Sequence, residues 1–216
     1  MKKTHVLWLV DWYGVIQPEC NKALVEWAVC KRPGSQESNI PAHLIFQALL
    51  AHRFGKPWPR RALEGMKPWF DMGGHLLNGE FLDGADAALR RMAEMYPKSV
   101  RILSQSKYDE RSDLAFKKHV GRVVPPGLLD SIDQAPISGD KFERFMQAKA
   151  AFNGQIIVVD NSPKNIKAAH RAGLDAWIIG DRKCPADKRF QSFARMVDYL
   201  QHISNHVASA VRLCRN

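Results

Sequence analysis

Three short apolar runs punctuate the chain, and each closes on a polar residue: His5 to Val10 before Asp11, Val100 to Leu103 before Ser104, and Gln155 to Val159 before Asp160. Val, Ile, Leu and Trp dominate these runs without alternation, the pattern of strands covered on both faces. A fourth run, Ala176 to Ile179, ends at Gly180 and Asp181. Between the runs, residues 109–119, 142–152 and 165–172 carry helical spacing, and Gly173 supplies a C-terminal stop for the last of them. Strands alternating with helices predict an α/β fold built on a doubly wound, Rossmann-like parallel sheet.

The interval from Asp11 to Val100 is far longer than one crossover helix requires. Residues 21–31, 41–54 and 59–67 have helical spacing and are separated by Pro-Gly and Gly-Lys-Pro breakers. We therefore expect residues 1–16 and 83–216 to form the α/β core and residues 17–82 to form a helical cap inserted after the first strand. A core helix over 84–95 leads into the second strand. The tail from 186 to 213 reads as largely helical, with Phe190, Phe193, Met196, Val197 and Leu200 along one side.

Composition adds little to the fold and something to the partners. The 216 residues are 45% hydrophobic and 25% charged, which excludes collagen-like and disordered classes. Four well-separated cysteines form no CxxC pair and suggest neither a zinc site nor a disulfide framework. No apolar run is long enough to span a membrane, and the one after Met1-Lys2-Lys3 is too short for a secretory leader, so a cytoplasmic, membrane-free protein is expected. The net charge of +10 favours anionic partners: a small anionic substrate first, with nucleotide or nucleic acid also open.

In an open α/β sheet, ligands collect beyond the carboxyl ends of the strands, where unpaired N–H groups converge. Asp11, Ser104 and Asp160 all stand at such ends. One polar residue there is commonly a helix cap, whereas three point to a shared site. A carboxylate on a tight turn, as Gly14 would allow at Asp11, is a candidate nucleophile. A hydroxyl at Ser104 is a candidate oxyanion partner. Asp160 is a candidate ligand for Mg²⁺, a hard cation suited to carboxylate oxygens.

These residues resemble the motifs of the haloacid dehalogenase superfamily of hydrolases and phosphatases. The first motif is similar to Leu7-Trp8-Leu9-Val10-Asp11-Trp12-Tyr13-Gly14-Val15, and the second to Val100-Arg101-Ile102-Leu103-Ser104. The third is best matched by Lys141, and the fourth resembles Ile157-Val158-Val159-Asp160-Asn161-Ser162-Pro163-Lys164-Asn165 with the helix after it. The resemblance implies a hydrolase working through an aspartyl intermediate on Asp11, supported by Ser104 and Lys141. It implies Mg²⁺ held by Asp11, Asp160 and the main-chain carbonyl of Tyr13. Tyr13, Gln105, Arg53 and Asn165 are the candidate substrate contacts.

Two residues depart from the phosphatase form of these motifs. Tyr13 stands where the family carries a second Asp that protonates the leaving group, and a phenol is a poor proton donor at neutral pH. Asn161 stands where many phosphatases carry another acid. Asp-x-Tyr-Gly is instead the form seen in 2-haloacid dehalogenases, whose halide leaves without a proton. Three readings follow: hydrolysis of a small phosphorylated substrate, a 2-haloacid dehalogenase, or a catalytically degenerate binding module. In the insert, Arg53 belongs to a run of cations interleaved with Trp58 and Trp69. The histidines show no HxxH or HExxH spacing. His202 and His206 lie one turn apart on the tail helix without acidic or cysteine partners, so no metal is expected there.

Overall fold

The computed structural model describes residues 5–17, 46–47, 50, 81–107, 110–136 and 140–213. The expected cap helices, and Arg53 with them, lie outside the described residues. Six strands make one sheet: β1 (Val6–Val10), β2 (Val100–Lys107), β3 (Ser131–Pro136), β4 (Gln155–Asp160), β5 (Asp175–Ile179) and β6 (Lys188–Phe190). Their order is β3-β2-β1-β4-β5-β6, with every neighbouring pair parallel. Helices α1 (Ala85–Met95), α2 (Glu110–Val123), α3 (Phe142–Ala151), α4 (Pro163–Arg171) and α5 (Phe193–Leu213) alternate with them.

The non-alternating apolar runs are explained by two cores, one on each face of the sheet. Trp8 and Val10 join Ile102, Val159, Phe116, Leu89, Met92 and the buried stripe of α5 on one face. Leu7 and Leu9 join Val158, Ile178, Phe145, Ile166 and Ala169 on the other. The apolar residues of the central strands thus divide between the two layers, which is why these runs do not alternate. Trp8 anchors the first layer, edge-on to Trp177 at 5.1 Å between ring centroids.

Topology decides where a ligand can sit. The chain lays down β1, β2 and β3 in one direction and then crosses back, placing β4 on the opposite side of β1. Loops leaving the ends of β1 and β4 therefore start side by side, from strands paired here through Val10 and Val159, and lead away in opposite directions, the position at which open α/β sheets collect ligands. The chain also returns from residue 82 beside the point at which it left: the Leu82 N–H donates to the Ile16 carbonyl at 3.0 Å.

Three elements differ from the sequence expectation. Strand β2 continues past Ser104 to Lys107, so Ser104 lies inside the strand, and the pairing with β3 shifts register between those two residues. β3 was not anticipated because Ser131-Ile132-Asp133-Gln134-Ala135-Pro136 has no apolar run. As an edge strand it needs only one neighbour, and Arg101 of β2 draws it in through Asp130, at 2.6 Å. The start of the tail is a strand, β6, rather than helix, because Phe190 completes the aromatic layer against Trp177 and Tyr199. The helix begins at Phe193, and its expected stripe of Phe193, Met196, Val197 and Leu200 is buried. Cys184 is a free thiol, and no helix among the described residues is long and apolar enough to cross a membrane.

Phe116 is fully enclosed on the Trp12 side of the sheet, edge-on to that indole at 5.7 Å. Phe116→Ala is expected to cost roughly 3–5 kcal/mol of stability in chemical denaturation, because the ring is replaced by a cavity. A cost below about 1 kcal/mol would show that the layer refills on truncation.

Candidate functional site

The loop after β1 is shaped by its own hydrogen bonds. The Asp11 N–H extends the pairing with β4 by donating to the Val159 carbonyl at 2.8 Å, after which the chain turns sharply. The N–H groups of Ile16 and Gln17 both donate to the Trp12 carbonyl, at 2.8 and 3.0 Å. Gly14 has φ of +78°, and a Cβ there would lie 1.9 Å from Nδ2 of Asn161. Both the left-handed backbone and the contact with the β4 loop require glycine. Trp12 points into the core, where its Nε1–H donates to Oε1 of the fully buried Gln17 at 2.7 Å. Nε2 of His119 lies 3.2 Å from the same oxygen. Burial and the nearby Arg122 hold the His119 pKa below its ordinary value. The Gln17 oxygen that the ring faces accepts from Trp12 as well, and an N–H at Nε2 would complete the contact.

Beside the ends of β1 and β4 a single buried ammonium joins two carboxylates. Lys141 directly precedes α3, which carries the chain from the β3 edge back towards β4, and its side chain is fully enclosed. Its Nζ lies 2.8 Å from Oδ1 of Asp11 and 2.8 Å from Oδ2 of Asp160, so these oxygens stand no more than twice that distance apart. Burial alone would lower the Lys141 pKa, but the two carboxylates outweigh it and hold the ammonium above its ordinary value. For Asp11, burial and the charge of Asp160 outweigh Lys141 and the Trp12 N–H, and the carboxyl is pushed up to about 7. One cation does not neutralise two buried anions, and Asp11 carries the deficit.

Asp160 is held from three sides. Its Oδ1 accepts the Ser162 N–H at 2.8 Å, and its Oδ2 accepts Lys141 and also Nδ2 of Asn165 at 3.0 Å. Asn165, a candidate substrate contact, is thus buried and turned onto Asp160, while its Oδ1 has no hydrogen-bond partner. Ser104 is fully buried on β2, next to β1, with the half-buried Gln105 after it. Tyr13 is half-buried, its ring 6.3 Å from that of Phe116.

Asp11 and Asp160, two of the three groups expected to hold magnesium, both face Lys141; Asp160 is enclosed, its Oδ2 accepting Lys141 and Asn165 and its Oδ1 the Ser162 N–H. Among the described residues, no three His, Cys, Asp or Glu side chains stand together. The charge between the two carboxylates is supplied by Lys141.

Three features of the site were not read from the sequence. The Trp12–Gln17–His119 network joins residues up to 102 positions apart and leaves no periodic trace. The packing of Asn161 against Gly14 links two motifs that had been read separately. Lys164 is half-buried at the start of α4, and burial pulls its pKa down against the opposing charges of Asp160, Asp140 and Asp11. The legible signal for this second cation was its place inside the fourth motif, one residue before Asn165.

No family model and no curated protein matches the chain. Solved structures match it in fold. A hydrolase from Pseudomonas syringae superposes with a TM-score of 0.61 at 12% identity, covering 93% of this chain and 99% of that one. A phosphoserine phosphatase from T. onnurineus gives 0.54 at 18% identity over 92% and 96%. An L-2-haloacid dehalogenase gives 0.56 at 14% identity over 92% and 100%. The six-stranded architecture is the one shared by haloacid dehalogenase-like phosphatases and dehalogenases.

Lys141→Met would leave Asp11 and Asp160 buried without their cation. The expected loss is roughly 3–5 kcal/mol at pH 8, shrinking at pH 5 as the carboxylate pair takes up a proton. Urea titrations at the two pH values check this, and a pH-independent loss would contradict it. Gly14→Ala is expected to destabilise the loop by about 1–3 kcal/mol through strain and the displacement of Asn161.

Proposed function

We propose that this chain is a hydrolase of the haloacid dehalogenase type, in which Asp11 forms a covalent aspartyl intermediate with a small anionic substrate, in the first place a phosphate ester. The observation that carries the reading is the Lys141 bridge between Asp11 and Asp160 at the point where the strand order reverses. Lys141 and the Trp12 N–H both engage Oδ1 of Asp11, which assigns attack to Oδ2.

Oδ2 attacks phosphorus and the P–O bond to the alcohol breaks; a good leaving group departs as its anion, and a poor one must take its proton from water. Water then attacks the aspartyl phosphate, releasing inorganic phosphate and restoring the Asp11 carboxylate. Lys141 stays charged throughout and stabilises negative charge as it builds on the transferring group. Asp160 and Asn165 act as positioning residues that hold Lys141 in place. Ser104 and Lys164 are assigned to the substrate oxygens, and no step is routed through a metal.

Tyr13 sets the chemical limit of this cycle. With a phenol where a carboxyl would deliver the proton, esters with good leaving groups are favoured and alkyl phosphates are slow. The same feature supports the second reading, a 2-haloacid dehalogenase: Oδ2 attacks carbon, halide departs with the bonding pair, and no acid is needed.

The leaving-group dependence, the Asp11 and Tyr13 variants and the pH profile test the proposal. Turnover of p-nitrophenyl phosphate is expected to exceed that of an alkyl phosphate steeply, and Tyr13→Asp is expected to raise the alkyl rate by about 10²–10⁴-fold while leaving the activated ester much less changed. Release of halide from 2-chloropropionate without phosphatase activity would decide for the second reading. Asp11→Asn is expected to abolish either activity, and full activity in that variant would sink the nucleophile assignment. Because the attacking form is the carboxylate, kcat/KM is expected to rise with pH through about 7 and to persist in excess EDTA. The same raised pKa makes Asp11 a destabilising charge once ionised: its contribution to stability is present below about pH 4 and lost as pH rises through 7. Asp11→Asn is therefore expected to melt a few degrees higher than wild type at pH 8.

A further inference from the structure

His202 and His206 stand one turn apart on an exposed face of α5, far along the chain from the Asp11 loop. Their Nε2 atoms are 2.9 Å apart, and the rings are steeply inclined at 79° with centroids 4.2 Å from each other. The i, i+4 spacing puts both rings on one stripe of the helix, with their coordinating nitrogens turned inward on the same point. Without a metal, one of these nitrogens must donate a proton to the other. A metal ion replaces that proton with two bonds.

Both nitrogens converge on one point, and at imidazole nitrogens the divalent affinity order peaks at copper(II). We infer that His202 and His206 form a chelating site for a late transition-metal dication, copper(II) foremost, with nickel(II) and zinc(II) bound more weakly. Asp198, one turn earlier on the same stripe, is ion-paired with Arg91 at 3.0 Å and does not join the site. No third His, Cys, Asp or Glu completes it among the described residues. Water fills the remaining positions, so the affinity is that of a two-ligand clamp rather than of a closed structural site. The site is independent of the chemistry proposed for Asp11.

The test is a titration of the full chain, free of any appended histidines, with copper(II) sulfate, followed by electron paramagnetic resonance. One copper per chain with splitting from two nitrogens is expected. His202→Ala and His206→Ala should each weaken binding by roughly tenfold or more and leave at most one nitrogen coupled, since removing either ring removes the chelate. Copper should also raise the melting temperature of the wild type and not of either variant. Far-UV circular dichroism checks that both variants keep the helix, as expected at exposed positions. Equal copper affinity in the double variant, a one-nitrogen spectrum in the wild type, or zinc binding as tight as copper would each overturn the assignment.

Discussion

Two carboxylates are buried a few ångströms apart with one ammonium between them, and the rest of the site is arranged around that imbalance. Removing charge from water is costly, and a like-charge pair raises the cost further. Lys141 offsets most of it by contacting Asp11 and Asp160 together. What remains appears as a carboxyl at Asp11 pushed up to about 7. The imbalance falls on Asp11: Asp160 has two further donors, the Ser162 N–H and Asn165, whereas on Asp11 both Lys141 and the Trp12 N–H meet the same oxygen.

The fold makes this arrangement possible by placing β1 and β4 side by side with their following loops diverging. Gly14 is the joint between the two halves. Its left-handed backbone lets the β1 loop turn under Asn161 of the β4 loop, and the Trp12–Gln17–His119 network pins the underside of the same turn to α2. The loop that follows β1 is thus fixed by buried polar bonds from within the core. Rigid support of this kind suits a group that must meet a substrate in one orientation.

The solved structures that match in fold include both phosphatases and dehalogenases, so architecture does not choose between the two chemistries. The choice lies in individual side chains. Asp160 contacts Lys141 through Oδ2, and the Tyr13 ring lies against that of Phe116.

The sequence by itself determined the sheet, the central strands, most of the helices, and the three polar residues Asp11, Lys141 and Asp160 at strand or helix ends. Those features are local: an apolar run covered on both faces needs no knowledge of its neighbours to be recognised. Edge strands β3 and β6 escaped notice because an edge is defined by the strand it joins, and Arg101 and Trp177 are what draw those segments in. Only the tertiary structure decided that Asp160 serves Lys141, that Asn165 faces inward, and that Trp12, Gln17 and His119 form one network. Each of these depends on how buried polar atoms find partners across many residues, and burial rather than spacing sets the energy of such bonds.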